Sequence, residues 1–484
     1  MEQQSQCISI KAEINLVIEH SSPVLVLDDV KQELWEISHG LSVCGLPLMQ
    51  HLIIDGTLER KPTKPYEGVR LLFTDLHVLG PTNNRPAQYV SALVKFIREL
   101  ISPSTYLIVF WSAFPEDAEE AWSLLVTRLK AANSENLIPF GYKVLDKTEV
   151  KSIADDDPDV SAKAAENVKA SISAIFDEFP QLESIMQWEF SAARAASATS
   201  NELIGRLIKG GFTFNDGNTF KATLKRMAQE ALGLPHAPNT PTRGVYQALM
   251  PIAQDWLNKQ AANGALDAFL DLNSREKVTL PPEPQGKPKL TSLLNDFFIH
   301  SERPDLQSSE RGVVIRLPED FLANEGIGLV GEVGLATTRG DWREALCAEF
   351  AHSFSTATLE NKKSYKEKLA SSNVYVVELS ADCDYAQDKS RSHRFLLSLF
   401  SPSSDPKPFY QRNCGANDAI YVTPEITLEG VQGRLLISCR IFLTRPYKTS
   451  VAGVVVTRLR QEVLSEIAHL YSTHMRRPGK IAFF

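Results

Sequence analysis

Long apolar stretches are missing from this chain of 484 residues. No segment approaches the roughly 18 to 20 consecutive apolar residues that a membrane-spanning helix needs. The first residues, MEQQSQCISIKAE, also lack the basic segment followed by an apolar one that marks a secretory signal. We therefore expect no membrane association and a cytoplasmic location.

Cysteine and basic runs are also scarce, and both absences exclude classes of protein. The six cysteines show no CxxC pair and no regular spacing, which argues against a disulfide framework or a cysteine metal site: Cys7, Cys44, Cys347, Cys383, Cys414 and Cys439. The formal net charge is −8 and only RLRQEV and HMRRPGK are locally basic, so we do not expect a nucleic-acid surface. No period of about 20 to 50 residues repeats, which argues against a solenoid.

The length and the pattern of the chain predict three domains. Residues 1–152 alternate five β-rich runs with amphipathic helical stretches, the runs being SPVLVLDD, QHLIIDG, VRLLFTDL, YLIVFWSAF and FGYKVLDK. Such alternation is typical of a doubly wound α/β domain, in which a parallel five-stranded sheet is covered by helices on both faces. In these folds ligands bind beyond the carboxyl ends of the strands.

The rest of the chain has two further patterns. Residues 155–278 have a helical period and predict a helical domain, and the proline-rich TLPPEPQGKPKL that follows predicts an extended connection. Residues 290–484 contain short β-like runs and two helical segments, TRGDWREALCAEFAHSF and LRQEVLSEIAHLYSTHM. This pattern predicts an α+β C-terminal domain with a mainly β core.

Polar residues end four of the five predicted strands of the first domain. Asp28 and Asp29 follow the first run, Asp75 the third, Ser112 the fourth and Lys147 the fifth. If the strands are parallel, these side chains meet at one edge of the sheet and form one pocket. Carboxylates suit a hard divalent cation such as Mg²⁺, and an aspartate beside it can act as a phosphorus-attacking nucleophile.

This ordered set resembles the receiver domain of two-component response regulators. The resemblance implies a flavodoxin-like fold and Mg²⁺ held by Asp28, Asp29, Asp75 and the backbone carbonyl of His77. It also implies that Asp75 accepts a phosphoryl group from a sensor histidine kinase. The Ser112 hydroxyl and the Lys147 ammonium would then contact the phosphoryl oxygens.

The chain departs from the receiver pattern in three places. Proline is displaced to Pro81 after the acceptor, Thr148 rather than proline follows the lysine, and Val144 takes the place of the usual aromatic residue. We therefore do not expect conventional signalling through that aromatic position. A receiver-like scaffold without chemistry is the alternative, whereas a haloacid-dehalogenase-type phosphatase is disfavoured because it needs a DxD motif.

A second polar cluster is predicted in the C-terminal domain. Cys383 and Asp384 follow a β-run, and His393 lies soon after. A thiol beside an imidazole could be a nucleophile or a metal ligand, but adjacent carboxylates raise the pKa of a thiol. A structural turn or a partner contact is therefore favoured over catalysis.

The CDYAQ-K strand end and the terminal helix followed by RPG resemble large receiver-containing proteins of bacterial antiphage loci. In a Detocs-type system, such a protein without an effector domain stores phosphate beside an effector-bearing receiver. The chain has no glycine-rich phosphate loop and no Walker motif, so the storage role fits better than the effector role.

The leading hypothesis is therefore a Mg²⁺-dependent phosphoacceptor in a histidine-kinase relay of antiphage defence. Its partners would be a sensor histidine kinase and an effector-bearing receiver, and a homodimer is left open. Two alternatives remain: an output enzyme with a catalytic C-terminal domain around Cys383, and an adaptor that is not phosphorylated.

Overall fold

The computed structural model describes most of the chain, in segments separated by gaps. The described residues are 23–76, 86–112, 114–147, 158–212, 217–261, 267–270, 277–301, 303, 305–318, 342–351, 358–370, 372–381, 392–404, 419–446, 449 and 451–475. The chain divides into two compact units, the first formed by Met1–Gly210 with Pro251–Asn273 and the second by Gly211–Met250 with Ser274–Phe484. Among the described helices, none combines the length and the apolar character of a membrane span.

The first unit is built on a six-stranded, mostly parallel sheet. Its strands are β1 (Val24–Asp28), β2 (Leu48–Ile54), β3 (Thr57–Leu58), β4 (Leu71–Thr74), β5 (Leu107–Ser112) and β6 (Gly141–Asp146). Their order is β3-β2-β1-β4-β5-β6, and every pair is parallel except the β2–β3 hairpin. All five predicted strands are present. The sixth, β3, forms because Asp55 and Gly56 take positive φ angles of 50° and 69°, as a tight hairpin turn requires.

Eight described α-helices lie between residues 31 and 270. They are α1 (Lys31–Val43), α2 (Pro86–Leu100), α3 (Ala118–Ala131), α4 (Pro158–Glu178), α5 (Pro180–Lys209), α6 (Gly217–Leu232), α7 (Pro241–Ala261) and α8 (Asp267–Leu270). On one face of the sheet, α2 and α3 bury Phe96 and Leu125 against Leu72 and Ile108. On the other face, α1, α4 and α5 pack against the remaining strand side chains. The sheet is therefore covered on both sides.

No helix connects β2 to β4, although a doubly wound sheet normally has one in such a crossover. The connecting residues 55–70 contain Pro62 and Pro65, each of which removes a backbone N–H donor. The segment instead pairs its Tyr66 with Ile101 as a single parallel bridge. The connection between β2 and β4 therefore packs its Tyr66 into the core that α2 and α3 share with the sheet.

The predicted helical segment of residues 155–278 begins with α4, which packs on the sheet of the first unit. Val168, Ile172 and Ile175 of α4 lie in the same core as the strands, and Arg70 at the start of β4 forms an ion pair with Glu189 of α5, with 2.5 Å between Nη2 and Oε1. The helical period predicted for residues 155–278 is interrupted at Phe179. There α4 has ended and Pro180 begins α5. The division into three domains at residues 152 and 155 stays a prediction.

The second unit contains an eight-stranded antiparallel sheet. Its strands are β7 (His300–Ser301), β8 (Val313–Arg316), β9 (Val374–Glu378), β10 (His393–Pro402), β11 (Ile420–Val422), β12 (Ile426–Leu428), β13 (Val431–Arg445) and β14 (Val454–Leu459). The order is β11-β13-β10-β9-β8-β14-β7, and β12 also pairs with β13. Both faces carry helices: α10 and α11 pack on one, and α9 and α12 pack on the other.

Four helices lie in the described part of residues 290–484, two more than the sequence predicts for that range. They are α9 (Leu290–Ile299), α10 (Trp342–Phe350), α11 (Leu359–Ala370) and α12 (Gln461–Met475). The sequence LENKKSYKEKLA of α11 has almost no apolar stripe, since only Tyr365 and Leu369 contact the core. The predicted connection TLPPEPQGKPKL is exposed and has neither helix nor strand before Leu290.

Candidate functional site

The carboxyl edge of the parallel sheet brings together four of the predicted residues. Asp28 is the last residue of β1 and Ser112 the last of β5, while Asp75 and Lys147 directly follow β4 and β6. All four are buried, with exposed fractions between 0% and 9%. The position of each is fixed by the apolar strand before it, whose side chains fill the core on both faces of the sheet.

Lys147 is the centre of this cluster. Its Nζ lies 2.9 Å from Oδ2 of Asp75 and 3.3 Å from Oδ2 of Asp28, and it also forms an ion pair with Glu33. The indole ring of Trp111 lies beneath the ammonium, with 5.7 Å between Nζ and the ring centroid. The ammonium is therefore held in a largely water-free site by three carboxylates and an aromatic face.

Glu33 is a member of the cluster that the sequence analysis missed. It lies in the first turn of α1, and one of its oxygens contacts Lys147. An available signal was its spacing, since a carboxylate four residues after Asp29 in the first turn of the next helix points back toward the strand end. The apolar strand pattern alone gave no reason to select it.

Backbone hydrogen bonds hold the two central aspartates in place. Oδ1 of Asp28 accepts a hydrogen bond of 2.8 Å from the N–H of Val30, which leads the chain from β1 into α1. The N–H of Asp75 donates to the carbonyl oxygen of Leu27 at 3.3 Å, which continues the β1–β4 pairing by one residue. The two carboxylates thus project side by side from adjacent strands.

The electrostatics of the site reflect an excess of negative charge. Burial raises the pKa of Asp28 to about 7, against the opposing effect of Lys147. Partial burial and the neighbouring carboxylate of Asp75 raise the pKa of Asp29. Burial lowers the pKa of Lys147, but Asp28 and Asp75 outweigh this effect and hold its pKa above the ordinary value.

Three carboxylates could hold a metal ion at this edge. One oxygen each of Asp28, Glu33 and Asp75 can be chosen so that all three lie within 4.8 Å of one another. When ionised, three carboxylates and one ammonium leave two negative charges uncompensated, which a divalent cation would balance. Oxygen donors alone suit a hard cation, so the residues fit Mg²⁺ by charge and by donor type.

The other predicted site residues lie less centrally or outside the described part of the chain. Asp29 is half-buried beside the cluster. The group of three carboxylates that could hold a metal ion contains Glu33, whereas the sequence analysis had expected Asp29. Ser112 accepts a hydrogen bond of 3.1 Å on its Oγ from the N–H of Phe114, within its own loop. His77 lies outside the described residues, so its predicted role as a backbone metal ligand stays a prediction.

The predicted C-terminal cluster is described only at His393. Cys383 and Asp384 lie outside the described residues. His393 begins β10 with its Nδ1 3.3 Å from Oε1 of Glu378, a fully buried carboxylate that also accepts a 3.1 Å hydrogen bond from the N–H of Ser380. This carboxylate partner of the histidine was not predicted from the sequence.

Comparison with known proteins gives no further information about the site. No protein-family model, no curated protein and no solved structure matches this chain. The geometry of Lys147, the three carboxylates and the sheet that positions them is therefore the basis for assigning a function.

Proposed function

We propose that the first unit is a phosphoacceptor receiver, in which Asp75 takes a phosphoryl group from a partner histidine kinase with the help of Mg²⁺. The order of its parallel strands, β2-β1-β4-β5-β6, supports the proposal, because it agrees with the order expected of a flavodoxin-like fold, in which the strand order reverses between β1 and β4. Asp28 is the last residue of β1, and Asp75 directly follows β4. The acidic pair thus lies at the switch point, where folds of this kind bind ligands.

The observation that carries the proposal is the 2.9 Å contact between Nζ of Lys147 and Oδ2 of Asp75. A carboxylate that attacks phosphorus needs a cation beside the oxygens that gain charge in the transition state. Lys147 provides that charge from a buried and fixed position. Asp75 keeps an exposed fraction of 9%, which gives the phosphoryl donor access to it.

The proposed reaction forms one bond and breaks one. An oxygen of Asp75 attacks the phosphorus of a phosphohistidine, the P–N bond breaks, and the released imidazole takes up a proton. The product is an aspartyl phosphate whose oxygens face Lys147. Mg²⁺ held by Asp28, Glu33 and Asp75 would neutralise charge on the same phosphoryl oxygens.

The role in the cell follows from the same proposal. A receiver without an effector domain stores the phosphoryl group or regulates a partner, and the resemblance to antiphage loci suggests a sensor histidine kinase and an effector-bearing receiver as partners. We place this relay in the cytoplasm. The predicted helical and C-terminal domains would then serve interaction or regulation.

Acetyl phosphate tests the chemistry directly. Full-length protein incubated with acetyl phosphate and Mg²⁺ should gain one phosphoryl group by intact mass, and the adduct should be removed by hydroxylamine. Asp75→Asn should gain none. Asp55→Asn is the matched control, because Asp55 is an exposed aspartate in the hairpin turn and asparagine tolerates its positive φ. An unmodified wild type, or an adduct that survives in Asp75→Asn, would contradict the proposal.

One observation favours the adaptor as a second candidate. Glu33 gives Lys147 a third carboxylate partner, so the ammonium is fully engaged without any phosphoryl group. A scaffold that uses this ion-pair cluster only for stability would show no adduct in the acetyl phosphate experiment. Its partner binding would also be the same in wild type and Asp75→Asn.

A further inference from the structure

A groove lies on the side of the first unit where the β2–β4 connection has no helix. It has a volume of about 790 Å³ and is bounded by α1, β2 and residues 60–66. The volume is within the range of about 300 to 1,000 Å³ that small-molecule sites in proteins have. None of the acidic cluster residues lines it, so it is a different site from the one described above.

The charge of the groove is opposite to that of the whole chain. The formal net charge of the protein is −8, yet no aspartate or glutamate lines the groove, whereas Arg60 and Lys61 do. Lys61 forms an ion pair with Glu99, with 3.2 Å between Nζ and Oε1. The guanidinium of Arg60 has no ion pair among the residues that the structure describes, so it is available to an anion.

A hydrogen-bonded histidine fixes the segment that carries Arg60. Nδ1 of His51 lies 3.2 Å from the carbonyl oxygen of Arg60 and Nε2 lies 3.0 Å from the hydroxyl of Tyr66. Burial lowers the pKa of His51, so the ring is neutral at pH 7. Because a carbonyl only accepts, Nδ1 donates and Nε2 accepts from the tyrosine. The cationic side of the groove is therefore held in place before any ligand binds.

The helical side of the groove offers a flat, exposed aromatic ring. The indole of Trp35 and the imidazole of His39 are parallel, with 5.1 Å between their centroids and 4° between their planes, and Trp35 is 46% exposed. Ser38, one residue before His39, is only 7% exposed, and its Oγ has no hydrogen-bond partner among the described residues. The Oγ atom itself is buried, so the exposed indole of Trp35 is the part of this side that a ligand in the groove can contact.

We propose that this groove binds a free nucleotide. The heteroaromatic base would stack on the exposed indole of Trp35, and the phosphate would pair with the guanidinium of Arg60. Stacking platforms combined with cationic side chains are the usual means by which proteins hold bases and their phosphates. The proposal does not depend on phosphorylation of Asp75.

Calorimetric titration of the full-length protein tests the proposal. AMP, GMP, CMP, UMP and the corresponding triphosphates are titrated in EDTA, so that no metal occupies the acidic cluster. We expect at least one nucleotide to bind, and adenosine and inorganic phosphate, as separate halves of a nucleotide, to bind at least tenfold more weakly (about 1.4 kcal/mol).

Single substitutions locate the site. Trp35→Ala and Arg60→Ala should each weaken nucleotide binding by about tenfold or more, while Trp188→Ala and Arg98→Ala, which change exposed residues of the same unit, should not change it. Asp75→Asn should bind like wild type.

Three results would overturn the proposal. These are no binding of any nucleotide at millimolar concentration, equal affinity of inorganic phosphate and the nucleotides, and unchanged nucleotide affinity in both Trp35→Ala and Arg60→Ala. Equal thermal unfolding of the variants and wild type without ligand shows that the comparison concerns binding and not folding.

Discussion

Nζ of Lys147 lies 2.9 Å from Oδ2 of Asp75, and the two residues follow strands that are separated in the sheet by β5. The long lysine side chain crosses the end of β5, over the ring of Trp111, to reach the carboxylate. This contact brings an ammonium and a carboxylate together in a buried place. Several measurable properties follow from it.

Removal of the lysine charge should strongly destabilise the first unit. Lys147→Met leaves Asp28, Asp75 and Glu33 without their shared partner, and breaking a buried ion pair in this way costs about 3 to 5 kcal/mol. The free energy of unfolding in urea measures the effect. Lys143→Met is the matched control, because Lys143 lies on β6, the strand that Lys147 follows, and pairs with Glu178 at the surface, where a pair contributes at most about 1 kcal/mol. Equal losses in the two variants would contradict the central role of Lys147.

The stability of the first unit should depend on the protonation of Asp28. Burial raises its pKa from 3.8 to about 7, so between these pH values the folded protein binds a proton that the unfolded chain has released. Its contribution to stability is therefore present at low pH and is lost as the pH rises toward 7. Asp28→Asn removes this dependence and should be more stable than wild type at pH 8 but not at pH 4.

Urea unfolding of both proteins between pH 4 and pH 8 checks this sign. The difference between wild type and Asp28→Asn isolates the contribution of Asp28 from those of the other carboxylates. Asp55→Asn, at the exposed hairpin turn, should follow the wild-type profile. A constant difference between wild type and Asp28→Asn across this range would show that Asp28 titrates as an ordinary aspartate.

Binding of Mg²⁺ should release protons. A metal ion needs the ionised form of Asp28, whose pKa is about 7, so the affinity for Mg²⁺ should rise between pH 6 and pH 8. Titration calorimetry in buffers with different ionisation enthalpies counts the released protons. An affinity that is independent of pH, with no proton release at pH 6.5, would argue against Asp28 as a ligand.

Glu33 should contribute to the metal site although the sequence pattern did not reveal it. Glu33→Gln removes one of three carboxylates and should weaken Mg²⁺ binding by roughly tenfold, by analogy with other groups that support metal sites. Glu36→Gln is the matched control on the same helix, because Glu36 contacts only Gln32 in the described structure. If both variants bind Mg²⁺ like wild type, Glu33 serves only to hold Lys147.

Two helical glycines should respond in opposite ways to the same substitution. A Cβ at Gly244 would lie 2.8 Å from Cα of Ala228 where α7 crosses α6, so Gly244→Ala must push the helices apart and destabilise the protein. A Cβ at Gly205 in α5 meets nothing within 4 Å, so Gly205→Ala should stabilise by about 0.5 to 1 kcal/mol. Urea unfolding measures both. A neutral Gly244→Ala would show that the helix crossing is looser than described.

Much of the first unit could be predicted because its strands are apolar on both faces. The runs VLVLD, LLFT and LIVFWS are fully buried, and the polar residue that the sequence analysis selected is the last residue of the first and third runs and directly follows the second. The end of a buried run therefore identified Asp28, Asp75 and Ser112 without any tertiary information. The parallel direction of the strands then implied that these residues meet at one edge.

The missed features depend on contacts between distant parts of the chain. Glu33 belongs to the site only because α1 turns back over the end of β1, and Glu378 pairs with His393 only because β9 and β10 are neighbours in the sheet. The helix α11 has too few apolar residues to be recognised by its period. The absence of a helix between β2 and β4 could have been predicted from Asp55-Gly56 and the two prolines that follow, because these residues disfavour a helix. The sequence analysis considered the strands and not the residues between them.

Helix α1 carries parts of two sites on one rigid rod. Glu33 in its first turn contacts Lys147, and Trp35 and Ser38 further along line the groove. A tilt of the helix that favours one occupant would change the affinity for the other, and thermodynamic linkage makes any such effect reciprocal. If a nucleotide in the groove changes the affinity for Mg²⁺ by some factor, Mg²⁺ must change the affinity for the nucleotide by the same factor. If both proposals hold, the two ligands would therefore be coupled through a single helix.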